Sequence, residues 1–259
     1  MKKIITSPTT QGAPWRKNEA PSLRPVPREF FIGIDLGGKE KKTTGLCILE
    51  NGKPVLLKDV FGKDVFKTIN PYLKDYNPPT TLPAKGWGPT KVIAIDAPLT
   101  QGRGKGKMRL YEKFLSTGIF RKEKANPIPP ALMPGLCDFA RELVKKLEKK
   151  GFVLDLNLIE VFPTLTRRIS NYSQILKNVG VLEDSACQTE NQKSALLCAV
   201  MAFLHSKFKT RYLGYKDGFL FLPEISFWKK KWQRKFSKAW RERPYLKYRY
   251  LITNIFDKT

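Results

Sequence analysis

The stretch Phe30-Phe31-Ile32-Gly33-Ile34-Asp35 is a continuous apolar run that ends at a carboxylate. Two later stretches have the same form, Val92-Ile93-Ala94-Ile95-Asp96 and Leu156-Asn157-Leu158-Ile159-Glu160. A strand that is buried on both faces reads as a continuous apolar run. An acid at the end of such a strand is costly to bury unless a positive group meets it there. We therefore expect three buried strands whose terminal carboxylates lie together.

Outward from the first run, the hydrophobic pattern predicts a mixture of strands and helices. Predicted strands cover 29–35, 43–50, 54–60, 91–96 and 155–162. Predicted helices cover 63–75, 108–117, 136–149, 164–178 and 190–208. Asn51-Gly52 is a strong hairpin signal, and Asp217-Gly218 predicts a small late hairpin. This order indicates an α/β fold with a mixed five-stranded sheet flanked by helices, and the three acids are expected at one edge of that sheet.

The net charge of +25 is concentrated in three segments. The net charges are +5 over residues 1–28, +6 over 100–124 and +9 over 229–249, which together leave +5 for the rest. We expect a flexible basic arm at 1–28, a folded domain at 29–224 and a basic aromatic extension from residue 225 to residue 259. Basic segments on a nearly neutral body favour a nucleic-acid partner (RNA, DNA or a hybrid) over a merely solvated surface. Lysine enrichment for life at high temperature would inflate this charge signal.

The cysteines and the histidine limit the compartment and the cofactor. Cys47, Cys137, Cys187 and Cys198 form no CxxC pair and are expected to be reduced. The single histidine, His205, does not make a zinc site with such scattered cysteines. No apolar run is long enough for a signal peptide or a membrane span, so we expect a cytoplasmic protein.

Asp35, Asp96 and Glu160 have the chemistry of a divalent-metal site. Carboxylate oxygens are the ligands that Mg²⁺ or Mn²⁺ prefers, and two such ions about 4 Å apart can hydrolyse a phosphodiester bond. A single acid at a strand end is more often a cap or a turn residue. Three acids on the three most buried strands favour a metal site.

Short motifs are spread along residues 29–224 around these acids. They are Gly33-Ile34-Asp35-Leu36-Gly37-Gly38, Ile95-Asp96-Ala97-Pro98-Leu99, Arg109-Leu110-Tyr111-Glu112, Ile159-Glu160-Val161-Phe162-Pro163, Ser194-Ala195-Leu196 and the stretch from Gly218 to Pro223. Together they resemble the domain-of-unknown-function family 429, whose members are described as predicted ribonuclease H-like nucleases. The second and fourth motifs are the more specific ones, because the first also occurs in sugar kinase and actin-like folds.

The resemblance implies a ribonuclease H-like fold in which Asp35, Asp96 and Glu160 are catalytic metal ligands. This chain departs from the family at Ser194, which stands where the family has a helical aspartate. Glu190 lies one helical turn earlier on the same face and is the candidate for a fourth catalytic ligand. Its alternative role is that of an acid placed favourably at a helix N-terminus.

Arg109 and Glu112 are three residues apart in a basic segment. This spacing most often indicates a surface salt bridge. Because the segment follows Asp96 and is strongly basic, contact of Arg109 with a nucleic-acid phosphate is the functional alternative.

The C-terminal extension contains an aromatic stripe on a basic helix. The aromatic residues recur every four positions: Trp228, Trp232, Phe236 and Trp240. We expect this stripe to pack on the protein's own core, with stacking on unpaired bases and an anionic membrane surface as alternatives. The candidate nucleic-acid contacts here are Lys229, Lys230, Lys231, Trp232, Arg234, Lys235, Lys238 and Arg241.

Three functions are consistent with these patterns. The first is a metal-dependent nuclease that uses two Mg²⁺ or Mn²⁺ ions to hydrolyse RNA or DNA. The second is a non-catalytic nucleic-acid-binding protein on the same fold, which Ser194 and the basic extension favour. The third is an actin-like, ATP-dependent phosphotransferase, suggested by Asp35 and the Gly37-Gly38 turn that follows it.

Overall fold

The computed structural model describes residues 28–74, 91–102, 105–181 and 187–242, and the backbone of 251–253. The predicted flexible arm lies outside these ranges, apart from its last residue, and so does most of the C-terminal extension beyond residue 242. No helix within the described ranges is long and apolar enough to cross a membrane.

Eight strands and eight α-helices are defined within the described residues. The strands are β1 Phe30–Asp35, β2 Thr44–Glu50, β3 Lys53–Val60, β4 Lys91–Asp96, β5 Leu158–Glu160, β6 Thr210–Tyr215, β7 Gly218–Pro223 and β8 Leu251–Thr253. The helices are α1 Val65–Leu73, α2 Leu110–Leu115, α3 Gly118–Lys122, α4 Pro134–Glu148, α5 Pro163–Ile169, α6 Tyr172–Val179, α7 Glu190–Ser206 and α8 Lys230–Glu242.

The prediction of an α/β fold with a mixed five-stranded sheet flanked by helices is confirmed. The strand order is β3-β2-β1-β4-β5. β1, β2 and β3 are antiparallel neighbours, whereas β4 and β5 run parallel to β1. A second sheet of three strands has the order β7-β6-β8 and contains the predicted late hairpin.

Each face of the main sheet is covered by its own group of helices. Phe31 and Ala94 point to one face, where they pack with α7. Ile34 and Ile95 point to the opposite face, where they pack with residues of α1 and α4. The central strands are therefore apolar on both faces, which explains their uninterrupted apolar sequence.

Helix α7 lies unusually close to the sheet. A Cβ atom added to Gly33 of β1 would lie 2.0 Å from the Ala195 carbonyl oxygen and 2.2 Å from the Ala199 nitrogen. A Cβ atom on Gly45 of β2 would lie 2.2 Å from the Asn191 carbonyl oxygen. The two glycines thus let the backbone of α7 approach β1 and β2 directly.

A third apolar cluster joins α8 to the rest of the protein. The inward side of α8 carries Trp232, Phe236 and Ala239, which are buried. These residues pack with Phe114 and Phe120 of α2 and α3, and with the β6–β7 hairpin. The prediction that the aromatic stripe packs on the protein's own core is therefore confirmed.

Candidate active site at the edge of the sheet

Asp35 and Asp96 form a pair at the carboxyl edge of the main sheet. They end β1 and β4, two parallel neighbours, and the two residues are direct partners in the register. Paired residues on neighbouring strands point to the same face, about 5 Å apart. Residues alternate along a strand, so both carboxylates lie on the face that carries Phe31, Ala94 and α7. Among the described residues, no group donates a hydrogen bond to either carboxylate.

The surroundings of this pair oppose its negative charge. Burial, together with the nearby Asp59 carboxylate, raises the pKa of Asp35 to about 7, although the positive charge of Arg167 acts in the other direction. Burial and the charges of Asp35 and Glu160 raise the pKa of Asp96 well above its ordinary value. Two adjacent carboxylates with raised pKa values and no donor form a site that a cation would stabilise.

Glu160 occupies a different environment, which corrects the expectation that it is free to bind a metal. In the register between β4 and β5, Glu160 is the partner of Ile95 and not of Asp96. This offset of one residue directs its side chain to the opposite face of the sheet. The structure therefore separates Glu160 from the aspartate pair, although all three acids line one cavity.

Both oxygens of Glu160 are already hydrogen bonded. Arg109 donates from Nη1 to Oε2 at 2.5 Å and from Nη2 to Oε1 at 2.8 Å. The Leu99 backbone nitrogen donates to Oε2 at 2.9 Å, and the Tyr111 hydroxyl donates to Oε1. Arg109 also donates to Glu112 at 2.6 Å, which completes a buried Glu-Arg-Glu cluster. A carboxylate with four donors is satisfied without a metal ion.

The same cluster corrects the expectation that Arg109 contacts a nucleic-acid phosphate. Its side chain is 1% exposed, and its guanidinium is shared between Glu112 and Glu160. The i, i+3 spacing of Arg109 and Glu112 correctly predicted an ion pair. The pair is buried, however, because α2 lies against the sheet edge and the β6–β7 hairpin.

Glu190 does not join the aspartates as a fourth ligand. Its side chain is 73% exposed and pairs with Lys193 at 2.6 Å and with Arg167 at 3.6 Å. These pairs lower the pKa of Glu190. Within the described residues, no group of three or more acids, histidines or cysteines is arranged to hold a metal ion. The expected set of four carboxylate ligands is therefore not assembled.

Arg167 is a cation that acts on both aspartates and that the sequence analysis missed. Its Nη2 atom donates to the Ser194 hydroxyl at 2.7 Å. Its positive charge partly offsets the rise in the pKa values of Asp35 and Asp96 that burial causes. Serine thus replaces the expected aspartate on α7, and an arginine contacts the serine. The available signal was the Arg167-Arg168 pair in the first helix after the Glu160 strand, at the edge where ligands bind in α/β sheets.

The cavity beside the aspartates is small and has an apolar wall. Its volume is about 220 Å³. The acids are Asp35, Asp96, Glu112 and Glu160, and the wall includes Pro98, Pro127, Ile128, Met133, Leu136 and Phe162. Pockets for drug-sized ligands have volumes of roughly 300–1,000 Å³, so this cavity suits a smaller group.

The donor set fits one divalent cation better than two. Mg²⁺ keeps several waters and usually takes one or two protein carboxylates, with substrate phosphates as further ligands. Asp35 and Asp96 supply those two carboxylates without competing donors among the described residues. Glu160 and Glu190 are already paired, so a second metal lacks its carboxylates in this arrangement.

Most of the cationic residues predicted as nucleic-acid contacts on and just before α8 are exposed. Lys229, Lys230, Lys231, Arg234, Lys238 and Arg241 are exposed, while Lys235 is half-buried and pairs with Glu123. Trp232 is 4% exposed and stacks on Phe120. The prediction that Trp232 contacts nucleic acid is therefore wrong, because its buried ring cannot stack on a base.

The glycine turn after Asp35 does not resemble a free phosphate loop. The Gly37 nitrogen donates to the Thr44 hydroxyl at 3.0 Å, and the Gly38 nitrogen donates to the Thr43 hydroxyl at 3.1 Å. Phosphate loops bind through backbone N–H groups that point at the ligand. These two N–H groups are already used within the turn.

No model of a protein family matches the chain, and searches of curated proteins and of solved structures give no significant match.

Proposed function

We propose that the protein is a metal-dependent nuclease of ribonuclease H-like fold in which Asp35 and Asp96 hold one divalent cation. The observation that carries this proposal is the in-register pair of carboxylates with raised pKa values and no donor among the described residues. The strand order and the motif resemblance to the domain-of-unknown-function family 429 support the same conclusion. The sequence predicted two metal ions, whereas the proposed site holds one.

The residues around the pair have separate roles in this proposal. Asp35 and Asp96 would hold the cation at the sheet edge. When bound there, Mg²⁺ or Mn²⁺ would supply Lewis-acid polarisation of a phosphoryl oxygen and activation of water. Arg167 offers a positive charge beside them to a phosphate, and Glu160 fixes α2 against the edge through Arg109.

The basic segments supply the electrostatic attraction for the polyanion. The exposed cations of α8 contribute to the net charge of +25. Contacts of this kind bind the phosphate backbone without reading sequence. They weaken as the salt concentration rises, because the release of counterions from the nucleic acid then becomes less favourable. We infer that these cations hold RNA, DNA or a hybrid while the aspartates act on it.

A cleavage assay tests the proposal directly. Labelled RNA, DNA and hybrid duplexes are incubated with the protein, with and without Mg²⁺ or Mn²⁺. We expect metal-dependent cleavage that falls by about 10²-fold or more in the Asp96→Asn variant, while binding persists. The Lys149→Gln variant is the control, because Lys149 is an exposed residue at the end of α4. Equal cleavage by wild type and Asp96→Asn would refute the site.

A second candidate is a non-catalytic nucleic-acid-binding protein on the same fold. The observation that favours it is the engagement of Glu160 by Arg109, together with the Ser194–Arg167 contact in place of a carboxylate. This alternative predicts salt-dependent binding with no cleavage of any of the three substrates in either metal.

A further inference from the structure

A second, strongly cationic pocket is lined by Arg167, whose charge also acts on the aspartate pair. Its volume is about 410 Å³, and it is formed where the end of α5 meets the start of α8. The lining residues are Glu123, Thr164, Arg167, Arg168, Lys229 and Trp232. Three of the six are cations, and one is an acid.

The acid of this pocket is already neutralised by α8. Glu123 forms an ion pair with Lys235, and Lys231 lies 3.9 Å from the same carboxylate. Its negative charge therefore does not cancel the charges of Arg167, Arg168 and Lys229. Arg167 is partly compensated by Glu190 at 3.6 Å, which it shares with Lys193. Arg168 and Lys229 have no acidic partner among the described residues, so the pocket keeps a net positive charge.

Two of the three cations are held in place by the protein. Lys229 donates from Nζ to the carbonyl oxygens of Arg167 and Arg168, each at 3.3 Å, at the C-terminus of α5. Arg167 is fixed by its 2.7 Å hydrogen bond to Ser194. Preorganised cations lose less entropy when they bind an anion.

Arg168 is the cation that this framework leaves available. It is exposed, and no described residue pairs with its guanidinium. A guanidinium donates two parallel hydrogen bonds to a phosphate, which gives the contact both charge and direction. The arrangement of one free arginine beside two anchored cations therefore suits a phosphate group.

We propose that Arg167, Arg168 and Lys229 bind a backbone phosphate of a nucleic-acid strand whose neighbouring phosphodiester meets Asp35 and Asp96. The second half of this statement rests on the proposed nuclease function. Arg167 connects the two places, because it lines the cationic pocket and its charge also acts on both aspartates. The strand thus runs from α8 across the end of α5 to the sheet edge.

The test measures binding of a 5′-labelled 12-nucleotide single strand, as RNA and as DNA, by fluorescence anisotropy without metal and at several salt concentrations. For Arg168→Gln we expect affinity to fall about tenfold at low salt and the slope of log K against log salt to fall by about 1. Lys149→Gln is the matched control with the same charge change, and it should change affinity less than about twofold. Arg168→Lys keeps the charge but loses the two parallel hydrogen bonds, so it should restore the salt slope and only part of the affinity.

The outcomes separate this inference from the proposed function. If Arg168→Gln weakens binding in a protein that shows no metal-dependent cleavage, the phosphate subsite holds and the nuclease proposal fails. If Arg168→Gln and Lys149→Gln bind equally, the subsite is refuted, whatever the cleavage result. Loss of binding to phosphatidylserine vesicles in Arg168→Gln, with unchanged oligonucleotide binding, would also overturn it in favour of a lipid surface.

Discussion

A shift of one residue in register gives the three strand-end acids different chemistry. Asp35 and Asp96 are partners and lie on one face without donors among the described residues. Glu160 is paired one residue earlier, points to the other face and meets Arg109. The sequence predicted all three acids at strand ends, but hydrophobic pattern alone does not determine the register between strands that are apolar on both faces.

Removal of Arg109 tests the structural role of the Glu-Arg-Glu cluster. Arg109→Met leaves Glu112 and Glu160 buried without their common cation, so we expect a loss of about 3–5 kcal/mol in the free energy of unfolding. Urea unfolding at neutral pH measures it. Arg168→Met is the control and should change stability by less than about 0.5 kcal/mol. An equally stable Arg109→Met variant would show that the cluster does not support the fold.

His205 makes stability depend on pH in a defined window. Its Nε2 atom lies 2.9 Å from the Leu156 carbonyl oxygen, so Nε2 donates, and Nδ1 accepts from the Thr210 hydroxyl at 2.8 Å. Burial lowers the pKa of His205 to about 4, whereas the unfolded chain has a pKa of about 6.5. The unfolded state therefore binds a proton first, and stability falls as pH drops from about 6.5 to about 4.

Urea unfolding across this window isolates the contribution of His205. We expect the wild type to lose up to about 3 kcal/mol more than His205→Gln between pH 7 and pH 4. The comparison with the variant removes the contributions of Asp35 and Asp155, whose pKa values are raised to about 7 and which act in the opposite direction. Parallel pH curves for the two proteins would contradict the assignment.

At the scale of elements, local pattern predicted most helices and strands, and tertiary contacts decided the exceptions. The predicted strand 91–96 matches β4, whereas the predicted helix 164–178 is divided into α5 and α6. The helix breaks because Ser170 is extended and forms a β-bridge with Trp228, which is distant in sequence. The predicted strand 155–162 begins later, at Leu158 in β5. Asn157 belongs to a turn before it, in which its side-chain oxygen accepts a hydrogen bond from the Val153 nitrogen at 2.6 Å. The contact between Ser170 and Trp228 joins residues distant in sequence, so no local pattern contains it.

The close approach of α7 to the sheet predicts the effect of a single methyl group. In Gly33→Ala, the new Cβ atom would lie 2.0 Å from the Ala195 carbonyl oxygen, which is backbone and cannot turn aside. We expect a loss of about 3 kcal/mol or more, because α7 must move away from β1. Thermal unfolding measures the change, with Gly135→Ala as control because its added Cβ would meet nothing within 4 Å. Equal melting temperatures would contradict this packing.

Helix α8 has a buried aromatic face and an exposed cationic face, and substitutions on the two faces should affect stability differently. Trp232→Ala removes a buried ring from the third cluster and should cost about 3–5 kcal/mol in the free energy of unfolding. Lys231→Ala, at the exposed neighbour, should change stability by less than about 0.5 kcal/mol. Chemical denaturation compares the two variants. If Trp232→Ala were fully stable but bound oligonucleotides poorly, the ring would be a stacking surface and not part of the core.

At the scale of the whole molecule, the acidic pair and the cationic surfaces belong to one region at the carboxyl edge of the sheet. The aspartate pair, the cationic pocket at α5 and the exposed face of α8 adjoin one another through Arg167 and Lys229. Composition predicted a polyanionic partner, and the apolar strands predicted where the acids would lie. The role of Arg167 was not predictable, because it depends on how α5, α7 and the sheet edge pack together.

Counting bound metal ions tests the central claim most directly. Titration of Mn²⁺ followed by electron paramagnetic resonance gives the number of ions per chain for the wild type and for two variants, Asp96→Asn and Glu160→Gln. We predict one Mn²⁺ per chain in the wild type, its loss in Asp96→Asn and its retention in Glu160→Gln, because Glu160 is already satisfied by Arg109 and Tyr111. Two ions per wild-type chain, or loss of the ion in Glu160→Gln, would contradict the account.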